Sequence, residues 1–432
     1  MGFGQALSGL NAASQNLDVI GNNIANSSTV GFKSGTAQFA DVYATSRIGL
    51  GVQVSTIAQR FTSGNIDITG NQYDMAIDGA NGFFRLVTTN GEVQYSRNGQ
   101  FIKDKDNYIV NAQGLRLTGY PADQYNDDGT VISGVGQAPV ELRVPQQNIA
   151  PQATTQIDMV RNLDSGSDPI DQTATPFDPS SPASFTNSVP MTVYDSLGNA
   201  HTLTQYYVKR ENVGSESAWD VYYTLDGAPL SPTTATATTG ADGSVSYSAW
   251  GGASGLSFSE VGRLTNVPAT FTLTSTTLAT STSPAAELSI VLDYTGTTQF
   301  GSPFTQSFVQ NGYTSGEFAS IGVGADGRVM ASYTNGETQN IGTLALANFN
   351  NVNGLRPVGG NGWAESPESG QAILGQPGTN GLSTIKGQAV EASNVDMSQE
   401  LVNMIIAQRA YQANAQTIKT QDQMMQTLMQ MR

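Results

Sequence analysis

The sequence predicts a mainly β protein with long terminal α-helices and domains nested one inside another. Three observations carry that expectation. Both ends lack proline and show apolar residues at helical spacing. The interior is rich in Gly, Thr, Ser and Asn, with short alternating runs and turn dipeptides between them. The composition of the β region also changes near Gln146 and changes back near Phe304, as an inserted domain would make it do.

From Phe3 to Ile24 the pattern is a heptad stripe: Phe3, Leu10, Leu17 and Ile24 stand seven residues apart, and Leu7 and Ile20 fill the second seam position. Asp18 is the one charged residue in that segment, so the opposite face is Ser, Asn, Gln, Ala and Gly, unlike an ordinary solvated helix. Asn22, Asn23 and Asn26 disfavour further helix, and Ser27 to Gly31 reads as a turn.

Strands follow. Asp74 to Gly79 leads into the buried run Gly82 to Val87, Asn90-Gly91 signals a hairpin, and Val93 to Arg97 returns from it. Asn98-Gly99 repeats the turn signal before Phe101. Within the insert, Met191 to Tyr194 and His201 to Val208 flank the turn Asp195 to Asn199, and Ala269 to Ser275 and Glu287 to Asp293 add alternating strands. After Phe304 come Gly327 to Met330 and Leu344 to Phe349. At the far end Asp396, with Gln399 three residues on, resembles a capping box. Leu401, Ile405, Tyr411, Ala415, Ile418, Met425 and Leu428 then form an apolar series, interrupted at Gln408 and weakened at Asp422. No Gly or Pro occurs from Met397 to Arg432, which allows a helix on the order of 50 Å long.

The expected layout is therefore 1–30 with 396–432 as a helical assembly domain and 31–72 with 370–395 as an extended connecting region. Residues 73–145 with 304–369 form a discontinuous β domain, and 146–303 an inserted outer β domain. A long amphipathic helix at a terminus needs a partner. The fold expectation has the N- and C-terminal helices pairing as a coiled coil, antiparallel if it forms within one chain; the sharper reading has their stripes face other subunits and order on assembly.

Charge and composition exclude much chemistry. Charged residues are 12% of the 432, with 19 Lys and Arg against 35 Asp and Glu, for a formal charge of -16. Without clustered Lys and Arg, nucleic-acid binding is not expected. No cysteine is present, so thiol nucleophiles, disulfides and zinc-thiolate sites are impossible, and His201 is the single histidine. No apolar run approaches the ~18 residues of a membrane span, and the start, Met1 to Ala6, has neither a secretory nor a myristoylation pattern. The missing cysteine leaves open export by a route without a cleaved signal.

Individual motifs are weak. Gly322, Gly324 and Gly327 match a dinucleotide fingerprint, but Arg328 to Tyr333 reads as a strand where a helix is required, so Asp326-Gly327 is a hairpin turn. Asn126 to Gly129 misses a calcium loop because Gln124 and Val135 stand at its first and last ligand positions. Asp104 and Asp106 alternate with Lys103 and Lys105 as at a hairpin tip, and Asn26-Ser27-Ser28 is a formal glycosylation sequon without a secretory context. His201 is expected to be an exposed strand residue with no nucleophile beside it. Catalytic, cofactor and metal residues are not expected.

Longer segments are more specific. Asn16-Leu-Asp18-Val-Ile20-Gly-Asn22-Asn23-Ile24-Ala25-Asn26, followed by Val30-Gly31-Phe32-Lys33, resembles the amino-terminal signature of bacterial flagellar rod and hook proteins. The likeness continues through Asp74 to Ile77, Gly82 to Phe84, Tyr95 to Phe101 and Leu117 to Pro121. Glu391 to Asp396, Leu401 to Gln412 and Ile418 to Thr420 resemble the family's carboxy-terminal signature. Within this family, the length and the inserted β domain resemble the hook type more than the shorter distal rod type. The resemblance implies a non-enzymatic structural subunit of the flagellar hook that polymerises into a curved, flexible tube, links rod to filament and transmits torque. It implies as partners further copies of the chain, the distal rod, the hook cap, the hook–filament junction proteins and the flagellar export apparatus. The implied place is the extracellular hook. A distal rod or hook-associated axial protein is the alternative; a β-rich adhesin or an enzyme using paired carboxylates are the competing classes. The stripe positions of both termini and Val30 to Lys33 are the candidate assembly residues.

Overall fold

A computed structural model describes residues 3–42, 51–125, 131–212, 216–230, 238–239, 245–246, 255–266, 269–275 and 285–430. The acidic loop at 126–129 lies outside them. Helix α1 runs Phe3–Ala25 and helix α2 Met397–Gln430. Asp396 starts α2: its Oδ1 accepts from the backbone N–H of Ser398 at 2.9 Å and of Gln399 at 3.1 Å. The reciprocal half of the expected capping box is missing, because the Gln399 amide donates forward to Asn403 at 3.2 Å.

The chain divides into two compact units. The first is Met1–Gln146 with Phe318–Ser332 and Thr338–Arg432; the second is Gln147–Glu317 with Tyr333–Glu337. The nested arrangement of helices, discontinuous β region and insert is thus present. The insert extends past the expected boundary at 303. Thr305–Gln310 pairs antiparallel with Gln156–Asp164, from Asn162 opposite Thr305 to Ile157 opposite Gln310, and this ladder holds it in the second unit.

In the first unit the described residues form a thirteen-stranded sheet that includes Phe83–Val87, Val93–Ser96, Arg116–Pro121, Arg328–Tyr333 and Thr338–Leu344. Its core holds Met75, Ile77, Phe84, Leu86, Phe101, Leu117 and Leu344. A second cluster gathers Phe83, Tyr95, Phe349 and Trp363, with edge-to-face rings at 4.8 to 5.9 Å. Gly324 N–H donates to Arg328 O at 2.9 Å, so the glycine-rich fingerprint is a turn between strands Phe318–Val323 and Arg328–Tyr333.

The stretch expected as a plain connecting region is structured. Strands β1 (Gly35–Val42) and β2 (Gly51–Gln59) pair antiparallel with a bulge at Gln38/Phe39, and they pack on α1. Ile66–Ile68 pairs with Ala389–Glu391, and Met75–Asp78 with Thr384–Gly387. These ladders satisfy backbone groups that an isolated linker would leave to water.

The second unit contains two five-stranded sheets among its described residues. One is ordered Asn187–Tyr194, Ala200–Lys209, Ser217–Leu225, Ala228–Leu230; the other surrounds Gln156–Asp164. Their inward residues share one core, including Ile157, Val193, Leu203, Tyr207, Trp219, Tyr223, Leu273 and Ile290.

Candidate functional site: the paired termini and their buried junction

The bend after α1 is fixed by hydrogen bonds to segments far away in sequence. Asn23 closes a two-bond clasp on Gly35, donating to its carbonyl at 2.8 Å and accepting from its N–H at 2.9 Å. The backbone N–H of Gly31 donates to Glu391 O at 2.7 Å, and the Asn361 amide donates to Val30 O at 3.0 Å. Asn394 joins the other terminus to the same place: its Oδ1 accepts from Ser34 N–H and its Nδ2 donates to Arg60 O, both at 2.7 Å.

Beneath the bend lies a buried charge cluster. Lys33 Nζ donates to Glu391 Oε1 at 2.6 Å and to Thr62 O at 2.7 Å. Arg97 Nη1 donates to Gly79 O at 2.8 Å and to Glu391 Oε2 at 3.4 Å, and Nη2 donates to Ala80 O. Glu391 Oε1 also accepts from Gly64 N–H at 2.8 Å. The side chains of Lys33, Arg97 and Glu391 have no exposed surface. Burial pushes the Lys33 ammonium down from its ordinary pKa; Glu391 opposes that, and Arg97 adds to it. Burial likewise lowers Arg97 against the pull of Glu391. One carboxylate therefore holds two cations in a fully buried site, and each of the three comes from a different signature segment.

Gly31 and Lys33, placed among the assembly residues from sequence, are buried within their own chain. Lys33 is spent on Glu391, and Gly31 has φ +70 with Asn98 backbone where a Cβ would stand, 2.6 Å from its nitrogen. Gly31→Ala is expected to destabilise the first unit by about 2 kcal/mol or more, since the left-handed conformation and the backbone clash add. A thermal melt checks this; an unchanged midpoint contradicts it. Val30 and Phe32 remain half-buried.

The helices pair, and the pairing seam differs from the heptad stripe. Gly9 lies against Asn414, where an added Cβ would come within 3.0 Å of the amide. Among the described side chains, those of α1 that bury are Ala6, Ala12, Ala13, Ile20 and Asn23, and Ala407 is the buried one of α2. Small residues let the backbones approach, and this seam sits beside the stripe of large residues. Of the predicted stripe in α1, Ile20 is buried, Leu10, Leu17 and Ile24 are half-buried, and Leu7 is 43% exposed. The Phe3 and Leu428 side chains lie outside the described ones. In α2, Leu401, Ile405, Tyr411 and Met425 are exposed and Ile418 half-buried. Val402, Ile406, Met424 and Met429 are exposed as well; the heptad reading passed over them because it follows one seam. Helix α2 has 34 residues against 23 in α1, so about 16 Å of it has no length of α1 to match. Helices α1 and α2 and the β1–β2 hairpin enclose a groove of about 660 Å³, lined among others by Ala13, Ile20, Phe39 and Ile406.

Among the described residues no cluster of three acidic or histidine side chains is placed to hold a metal ion, and no helix is long and apolar enough to cross a membrane.

Comparison with known proteins follows this geometry. Family models match residues 5–33 (Flagella basal body rod protein), 76–159 (Flagellar hook protein FlgE/F/G D1 domain), 162–313 (Flagellar basal body protein FlaE D2 domain) and 386–431 (Flagellar basal body rod FlgEFG protein C-terminal). Paired termini, a discontinuous β region and an insert matched in this order define an axial protein of the flagellar rod and hook class. The chain is 45% identical to the flagellar hook protein FlgE of Salmonella typhimurium over 434 residues, covering 100% of both chains. It is 45% identical to that of Escherichia coli K12, again over 100% of both, and 29% identical to that of Borreliella burgdorferi over 99% and 98%. The chain belongs to the flagellar hook protein family, and its role is that of a structural subunit of the bacterial flagellar hook. The fold is similar to the crystal structure of Helicobacter pylori flagellar hook protein FlgE2, with TM-score 0.53 at 12% identity, covering 75% of this chain and 100% of that one.

Proposed function

We propose that the subunit polymerises head to tail through the large apolar residues of its terminal helices, forming a flexible tube that joins rod to filament and transmits torque. The observation that carries this reading is the exposure of Leu401, Ile405, Ile406, Tyr411 and Met425 on a helix already paired with α1. Large apolar side chains exposed in that number are unusual on a monomer's surface, and open helical contacts between identical chains would cover them. In this reading Leu7, Leu10, Leu17 and Ile24 of α1 contribute from the neighbouring face, whereas Gly31 and Lys33 hold the helices at a set angle to the β region. The proposed layout keeps the terminal helices as the assembly module and the insert as the outer module.

The role is structural and non-enzymatic. Its partners are other copies, the distal rod, the hook cap and the hook–filament junction proteins, with delivery by the flagellar export apparatus. A chain without cysteine passes unfolded without disulfides to break or reform. Deleting Met1 to Ile24, or Leu401 to Arg432, is expected to abolish tubes seen by electron microscopy of purified protein. Normal polymers from either truncation would overturn the assembly role.

A further inference from the structure

The one histidine of the chain is neither exposed nor idle. His201 lies on strand Ala200–Lys209, the second strand of its sheet, opposite Val193. Its Nδ1 stands 2.6 Å from Asp226 Oδ2, and its Nε2 stands 3.4 Å from Asp195 Oδ2. The two carboxylates come from different turns. Asp195 begins the turn between Asn187–Tyr194 and Ala200–Lys209, and Asp226 the turn between Ser217–Leu225 and Ala228–Leu230. Asp226 holds a left-handed φ of 52°, stabilised by bonds exchanged with Thr202: its N–H donates to Thr202 O at 2.9 Å and its Oδ1 accepts from Thr202 N–H at 2.8 Å.

Both carboxylates are fixed as acceptors. Asp195 Oδ1 accepts from Leu197 N–H at 2.9 Å and Asn199 N–H at 2.8 Å, and Oδ2 accepts from the Asn199 amide at 2.8 Å. A neutral imidazole has one N–H and one lone pair, so it can serve only one of two such acceptors and turns its lone pair toward the other. An imidazolium donates to both.

We propose that His201 acts as an imidazolium clamp that ties these two hairpin turns together, so that the second unit is held more tightly in acidic than in alkaline surroundings. Asp195 and Asp226 are the ionisable groups that face the ring from the elements packed against it. Burial lowers the imidazole pKa, but the hydrogen bonds and charges of Asp226 and Asp195 outweigh burial and raise it above the ordinary 6.5. Burial alone would raise Asp195; its bonds from Asn199, Leu197 and His201 prevail and lower it, so it stays charged beside the ring. The sign follows from linkage. A histidine raised in the folded state contributes its full stabilisation below the unfolded value of 6.5, and that contribution disappears as pH rises through the folded value. The hook lies outside the cell, so the clamp responds to the external medium.

A sole histidine makes the test direct. In the full-length subunit with isotope-labelled histidine, one imidazole resonance reports the titration. We expect its midpoint above 6.5, protons on both ring nitrogens on the acid side, and a lower midpoint in Asp226→Asn. The melting-temperature gap between wild type and His201→Gln should be widest in acid and close in alkali. A wild-type midpoint at or below 6.5 overturns the clamp, as does a gap of constant size across that range. The wild-type titration decides the matter even where a variant fails to fold.

Discussion

Aspartate at both Ile405 and Ile406 is expected to leave a folded subunit that no longer forms polymer at concentrations where wild type does. In the single chain these side chains are 51% and 61% exposed, so the monomer loses little when they change. A polymer contact that buries them loses roughly 2 kcal/mol of apolar transfer for each, or about 4 kcal/mol together. That raises the critical concentration about a thousandfold, before the added cost of burying two carboxylates. Helix propensity falls by only a few tenths of a kcal/mol per position, too little to melt α2 where it pairs with α1. Sedimentation and electron microscopy read the polymer, and circular dichroism reads the helix. Polymers at the wild-type concentration would remove these residues from the contact. Loss of polymer together with loss of helix would place their role in monomer folding.

The separation of those two outcomes rests on a feature only half legible in the sequence. The existence of both terminal helices could be read, because heptad spacing without proline leaves few other structures, and Asp396 marks the start of α2 by capping it. Pairing of the two helices is expected from the sequence and present in the structure, but the residues of the seam could not be read, because α1 carries two seams one residue apart. Large residues at 3, 10, 17 and 24 dominate any hydrophobic pattern, and the small seam through Ala6, Gly9 and Ala13 gives almost no signal. Alanine and glycine pack by allowing approach rather than by burying area, so periodicity weighted by hydrophobicity overlooks them.

Polar clusters were hidden for another reason. Lys33 and Glu391 are separated by 358 positions, and nothing local distinguishes a lysine bound for a buried site from one on the surface. His201, on a strand, and Asp226, in a turn, are 25 positions apart, and only the strand order brings them together. The insert boundary was misplaced because Thr305–Gln310 resembles the flanking β text in composition while its partner is Gln156–Asp164. Pairing, not composition, decides which unit a strand joins.

Glu391→Gln should be the most damaging conservative change in the first unit. It removes one charge and leaves two cations, Lys33 and Arg97, in a site with no exposed surface. Breaking a buried pair in this way costs about 3–5 kcal/mol, because the remaining charge has neither water nor a counter-ion. Lys33→Met is expected to cost less, since Glu391 and Arg97 remain as a neutral pair and the vacated stem is filled by an apolar one. The pH dependence separates this account from a simple packing defect. Lys33 is already held below its ordinary value of 10.5 by burial, with Glu391 pulling it back up. In Glu391→Gln that pull is gone, so the folded state sheds the Lys33 proton at a lower pH than wild type does. A folded state that binds fewer protons than the unfolded chain gains stability as pH rises. The deficit of Glu391→Gln relative to wild type should therefore narrow toward alkaline pH, while that of the Lys33→Met, Glu391→Gln double variant relative to Lys33→Met should lack this narrowing. Denaturant melts at a series of pH values measure both. A deficit that stays constant with pH, or a larger loss in Lys33→Met than in Glu391→Gln, would mean that the junction is held by shape and backbone hydrogen bonds rather than by its single buried carboxylate.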